Sequence, residues 1–242
     1  MKTFIRYTLI IVVILILTAL SLQACTQTVS AQQGGFATSN SSVTALLAGD
    51  PLTEEEIDSL IFMREEEKLA HDVYLALHDL WGLPLFNNIA RSEQTHTDAI
   101  KRLLDAFGIP DPADTSPVGE FEDPKLQSLY DELIQTGSHS LADALKVGAD
   151  IEQIDILDLE AYLEVVENES IRRVYENLLR GSTNHLRAFT RTLERNERET
   201  YEPQYMEEVD YDVIVTASSR RGLQGRQSLD RTPSIRGGRN RR

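Results

Sequence analysis

The chain's 242 residues are 41% hydrophobic and 26% charged, an ordinary globular balance that excludes global disorder and a collagen-like or low-complexity protein. Its formal net charge of −15 is unevenly spread: Asp50 to Asp212 holds 38 acids against 14 Lys and Arg, whereas Val213 to Arg242 holds eight Arg and one Asp. So acidic a body repels phosphate backbones, which argues against nucleic acid as its partner.

Lys2 and Arg6 precede an apolar run from Tyr7 to Leu20, followed by small and polar residues. This is the layout of a signal peptide, expected over residues 1–25, and the run falls short of the roughly 18 residues a spanning helix needs. The only cysteine, Cys25, follows in Leu22-Gln23-Ala24-Cys25, which resembles a bacterial lipobox with Gln23 as a departure. The expectation is lipidation at Cys25 and an extracytoplasmic, membrane-anchored lipoprotein. The alternative is a secreted protein cut after Ala31. A single cysteine excludes an internal disulfide. Residues 26–50, rich in Ser, Thr, Gln, Ala and Gly, read as a flexible tether.

Pro51 opens a helical stretch with Thr53 as N-cap and Glu54 to Glu56 in the first turn. Leu60, Met63, Ala70, Tyr74, Leu77 and Trp81 recur at helical spacing, which predicts a first helix over Thr53 to Trp81, broken by Gly82-Leu83-Pro84. A second helix is predicted over Leu85 to Phe107, stopped by Gly108 and the prolines beyond it. A long connection, Ile109 to Ser138, holds a short helix near Lys125 to Thr136. A third helix spans Ser140 to Val166, with Gly148 as a weak point, and a fourth spans Ser170 to Arg195. No alternating β-rich stretch of useful length precedes Asp210, so the fold class is all-α. Two helical hairpins joined by a long crossover with a short extra helix is the connectivity of a ferritin-like four-helix bundle, expected over 51–205. Residues 206–242 are expected to form a mostly disordered basic tail.

Acids interrupt the apolar stripes. In Arg64-Glu65-Glu66-Glu67-Lys68, Glu67 falls in the core row of the first helix. Glu66 lies on the border of that row, and Glu65 points elsewhere. In the second helix Glu93 and His96 continue the row of Phe86 and Ile89 towards Ile100 and Leu103, three apart and therefore on one face. The third helix carries Glu152 and Asp155, and the fourth carries His185. Counted from Gly82, Glu67 is 15 residues back, Glu93 11 forward and His96 14 forward. Counted from Asn168, Glu152 is 16 back, Asp155 13 back and His185 17 forward. In antiparallel hairpins each set shares one level, within about a turn of 5.4 Å. Inward carboxylates need protons or cations among them. Two divalent ions balance Glu67, Glu93, Glu152 and Asp155, and mixed carboxylate and imidazole ligation suits iron, with manganese as the alternative.

The blocks Met63-Arg-Glu-Glu-Glu-Lys-Leu-Ala-His-Asp-Val-Tyr74, Ile89-Ala-Arg-Ser-Glu-Gln-Thr-His96, Leu126-Gln-Ser-Leu-Tyr-Asp-Glu-Leu133 and Leu179-Arg-Gly-Ser-Thr-Asn-His-Leu-Arg-Ala-Phe189 resemble the domain of unknown function 2202 family. More distantly the chain is similar to rubrerythrin and other di-iron carboxylate proteins. That likeness implies a ligand at Glu67 with Ala70 and Tyr74 in register, Glu-x-x-His at Glu93 and His96, and acids at Glu152 and Asp155. The fourth helix departs, with Ser182 where the pattern has Glu, which leaves Asp155 as a replacement or one coordination position open.

The resemblance implies two Fe ions and oxidation of Fe(II) or reduction of oxygen or peroxide, and the signal-like N-terminus sets the expected location outside the cytoplasm. Homodimers are frequent among such bundles. The alternative function is a non-catalytic envelope module that binds metal or serves a structural role. His71, His78 and His139 are expected at the surface or its boundary. Trp81 and Tyr74 are expected in the core, with Tyr74 or Tyr175 as the candidate to shield the site or donate a hydrogen bond to it.

Overall fold

A computed structural model describes residues 51–217, all within one compact unit. The expected signal peptide over 1–25 with Cys25, the expected tether over 26–50 and residues 218–242 lie outside the described residues. The described residues are all-α. Helices α1 (Glu54–Trp81), α2 (Pro84–Phe107), α3 (Pro124–Gly137), α4 (Leu141–Val165) and α5 (Glu169–Glu197) are followed by α6, residues 208–217.

Local chemistry sets the helix ends. Thr53 and Glu56 form a reciprocal capping box at the start of α1, with Thr53 Oγ1 accepting from Glu56 N at 3.1 Å. Gly82 ends α1 at φ 65° and Gly108 ends α2 at φ 70°, a left-handed conformation that suits a residue without Cβ. Asp123, Ser140 and Asn168 cap α3, α4 and α5 with their side chains. The two-residue link between α1 and α2 and the short turn between α4 and α5 make two antiparallel hairpins. The hairpins pack side by side through α1 on α4 and α2 on α5, and α3, in the crossover, lies against α1 and α4.

The apolar core is divided. One cluster gathers Tyr74, Leu77, Phe86, Leu145, Leu186 and Phe189, and the other gathers Leu60, Met63, Ile100, Leu104, Tyr175 and Leu178. Three of the four long helices pass from one cluster to the other through a polar stretch, at 64–68, 93–97 and 182–185, and on α4 the buried Glu152, Gln153 and Asp155 lie between Ile151 and Ile156 of the first cluster, ahead of Leu159 of the second. The acids therefore occupy a layer with packed hydrocarbon on both sides.

The run Arg64 to Lys68 is buried throughout, including Glu65, which the helical register had directed elsewhere. The crossover explains this. Arg64 forms a two-pronged ion pair with Asp111 at 3.0 and 3.1 Å, and Lys68 donates to Asp72 and to the carbonyls of Pro117 and Glu120. Glu65 accepts the backbone N–H groups of Glu122 and Asp123 at 2.6 and 3.0 Å. These are free amides at the N-terminal end of α3, where a carboxylate is favoured.

Order does not decay after Tyr205 as expected. Residues 208–217 are helical, and Tyr201, Met206 and Tyr211 are buried against the first cluster. The buried Gln153 of α4 holds this return segment. Its amide donates to Tyr201 Oη, and its carbonyl oxygen accepts from the backbone of Tyr205 and Met206. Gly148, read as a weak point, lies where a Cβ would stand 2.5 Å from the Phe189 ring, so its absence of side chain permits that packing. Among the described residues no helix is long and apolar enough to cross a membrane.

Candidate metal centre

Five of the six main candidate ligands meet in the polar layer. Glu67 comes from α1, Glu93 and His96 from α2, Glu152 from α4 and His185 from α5. Glu67, Glu93 and Glu152 are at most 2% exposed, so none is turned to water. Their ligand atoms form two overlapping triads, Glu67–Glu93–His96 and Glu93–Glu152–His185, with all atoms in each triad within 4.8 Å of one another.

Glu93 joins the two triads. One of its oxygens lies 2.7 Å from His96 Nδ1 and the other 2.7 Å from His185 Nδ1. Glu93 Oε1 and His185 Nδ1 are nevertheless without a hydrogen-bond partner, as is Glu67 Oε1. Short separation without hydrogen-bond alignment is how neighbouring ligands of one ion lie. Two atoms each about 2.1 Å from a metal and about 80° apart are roughly 2.7 Å from each other. His96 Nδ1 also lies 3.2 Å from Glu67 Oε2, and Glu152 Oε2 is 3.5 Å from His185 Nδ1. The imidazoles stack with ring centroids 5.7 Å apart.

Asp155 is adjacent but outside both triads. Its Oδ2 accepts a hydrogen bond from Ser182 of α5, while its Oδ1 has no partner. Glu66 is buried but belongs to neither triad, and burial with Asp158, Asp155 and Glu67 nearby holds its carboxyl well above the usual range. Of the two phenols, Tyr74 reaches the centre, donating to Glu152 Oε1 at 2.6 Å. Tyr175 pairs instead with Ser59 at 2.9 Å. His71 and His78 are half-buried, on Asp72 and near the Leu83 carbonyl respectively, and His139 is exposed.

The electrostatics follow from burial. Burial, reinforced by Asp155, pushes the Glu67 carboxyl well above its usual range, although His96 pulls the other way. Burial also raises Glu152. Burial, with Glu152 beside it, raises Asp155 to about 8. Burial alone would raise Glu93, but His185 and His96 bring it down to about 2. Burial alone would lower the imidazoles; Glu67 and Glu93 nevertheless hold His96 up at about 11, and Glu152 and Glu93 hold His185 up at about 10. In the layer, burial thus favours the neutral form of Glu67, Glu152 and Asp155, while the neighbouring carboxylates favour the charged form of both imidazoles. Two like charges about 4 Å apart at an effective dielectric near 20 repel by on the order of 4 kcal/mol, which a bound cation reverses.

Sequence reading missed Gly181. A Cβ there would stand 2.5 Å from His96 Cε1 and 2.6 Å from its Nε2, so glycine lets the imidazole lie flat on α5. Ser182 was read as a lost carboxylate, and its role as donor to Asp155 needs the α4–α5 contact to be seen. The pair of small residues, Gly181-Ser182, opposite two histidines was the available signal.

The chain is similar in sequence and fold to proteins described as uncharacterized or hypothetical. An uncharacterized protein of Methanocaldococcus jannaschii, MJ0754, is 51% identical over 177 residues, covering 73% of this chain and 95% of that protein. The crystal structure of the hypothetical protein MJ0754 superposes with a TM-score of 0.68, covering 70% of this chain and 96% of that one. The family model described as an uncharacterized protein domain, DUF2202, matches residues 56–218, which include every candidate ligand residue. The chain belongs to the DUF2202 family.

Proposed function

We propose that this is a ferritin-like protein that holds a dinuclear iron centre, manganese being the other metal suited to its ligands, and oxidises Fe(II) or reduces oxygen or peroxide outside the cytoplasm. The observation that carries the proposal is the position of Glu93. It is shared by two triads, with each oxygen 2.7 Å from an imidazole nitrogen. Oxygen-rich ligation with one imidazole per ion suits iron or manganese better than a closed, thiolate-rich zinc site.

Bound iron supplies the one-electron chemistry that no side chain of the layer has. The chain's own part is to hold the ligands and keep the layer dry. The two apolar clusters flank it. Tyr74 orients Glu152, and Ser182 orients Asp155, as hydrogen bonds to ligating carboxylates do. The signal-like N-terminus and Cys25 support a lipid-anchored location, for which Cys25→Ser should move the protein from the membrane to the soluble fraction.

Metal analysis of the purified protein, followed by anaerobic Fe(II) loading and exposure to oxygen or peroxide, tests the function. Two tightly held ions per chain and a rapid optical change support it. Two ions without that change would instead identify a non-catalytic metal-binding module, and none would leave a structural protein.

A further inference from the structure

We infer that the seam between α2 and α5 is the entrance to the candidate centre, that a divalent ion or small oxidant passes there beside His96 and His185, and that Ser92 sets its width. The entrance rests on the proposed dinuclear reading and adds a route to it. Packed hydrocarbon bounds the polar layer in both directions along the bundle. An ion stripped of water in hydrocarbon gains no contact in return, so a cation has to come in from the side, between neighbouring helices.

Three of the four seams are covered. Asp111, at the start of the crossover, bridges α1 and α2 by pairing with Arg64 at 3.0 Å and Lys101 at 3.2 Å. Helix α3 lies against both α1 and α4. The return segment bonds to both α4 and α5: Gln153 accepts from the backbone of Tyr205 and Met206, and Arg187 donates to the Ile214 carbonyl at 2.7 Å. Among the described residues no comparable bridge spans α2 and α5. The ligands reach water on that same side. The side chains of Glu67, Glu93 and Glu152 are 1 or 2% exposed, whereas those of His96 and His185, on α2 and α5, are 11% and 12% exposed.

The rim is built from residues with little or no side chain. Helices α2 and α5 run antiparallel, with Phe86 against Phe189 and the Cε1–Nε2 edge of His96 against Gly181. One turn back from His96 on α2 is Ser92, and one turn on from Gly181 on α5 is His185, so Ser92 stands at the level of His185 on the seam flank. Ser92 is half-buried and belongs to neither triad.

Blocking the rim tests the entrance without altering a ligand. In full-length protein, Cys25→Ser removes the chain's only thiol, and Ser92→Cys is added to it. The control is Gln94→Cys, exposed and about 200° further round α2. Each folded, metal-free protein is labelled with a bulky maleimide, and Mn(II) uptake is followed in time by loss of the free ion's paramagnetic resonance. The label on Ser92→Cys should slow uptake about tenfold while leaving the final content at two ions, and the label on Gln94→Cys should change neither. Circular dichroism checks each fold; should Ser92→Cys not fold, Ala99→Cys, half-buried on the same flank of α2, repeats the test. Two ions taken up at a rate indifferent to the label, or slowed alike by both labels, would overturn the entrance and leave the centre standing. No Mn(II) uptake by the unlabelled protein would sink the centre, and the entrance with it.

Discussion

Ser182 of α5 donates its hydroxyl hydrogen to Oδ2 of Asp155 on α4, with both side chains buried. The hydroxyl thus fixes a carboxylate that arrives from the neighbouring helix, at the level where an acid on α5 itself would otherwise project. Replacing Ser182 by Ala leaves a buried carboxyl oxygen without a donor, a change that costs about 1–3 kcal/mol. Urea unfolding of the metal-free variant should show a lower midpoint with an unchanged slope. An unaltered midpoint would mean that the bond contributes nothing.

The proposed sharing of Glu93 by two ions predicts a graded loss of metal. His185→Ala should retain one tightly held ion, in the Glu67–Glu93–His96 triad, and His96→Ala should retain the other. Glu93→Ala should retain neither. Metal content after desalting reads this directly, and full occupancy in Glu93→Ala is incompatible with a shared ligand.

Gly181→Ala sets helix propensity against the centre. In a helix interior Ala is favoured over Gly by about 1 kcal/mol, so the backbone gains. The added Cβ would stand 2.5 Å from His96, and the imidazole must swing away. Metal content should fall from two to one with unchanged far-ultraviolet circular dichroism. Retention of both ions would show that the ring has room to give.

Stability of the metal-free protein should fall as pH rises. His96 and His185 stand at about 11 and about 10, above their usual 6.5, so their contribution is complete below about 6.5 and lost as pH climbs through 10 to 11. Asp155, raised from 3.8 to about 8, acts in the same direction between those values. Glu93, lowered from 4.5 to about 2, acts oppositely and only in acid, its contribution being lost below 4.5. Thermal midpoints of metal-free protein should therefore drop between pH 7 and 10. Metal loading, which requires deprotonated ligands, should flatten that dependence and release protons at pH 7. A flat metal-free profile over that range would contradict the charge assignment.

The sequence by itself determined the helices and their inward faces. Thr53, Gly82, Pro84, Gly108 and Asn168 act on the backbone beside them, so their effects are local and can be read without the fold. The 3.6-residue period likewise placed Glu67, Glu93 and His96 on inward stripes, and residue counts from the turn at Asn168 set Glu152 and His185 at one level. Periodicity describes one helix at a time, however, and says nothing of what arrives from outside it. The partners of Glu65 lie 57 and 58 residues away, and those of Arg64 and Lys68 lie on the same crossover. Only the tertiary structure turned Asp155 to Ser182 and returned Met206 and Tyr211 to the core. The burial of a charged group depends on whether a partner is supplied across an interface, and the packing of the hairpins and the crossover decides that.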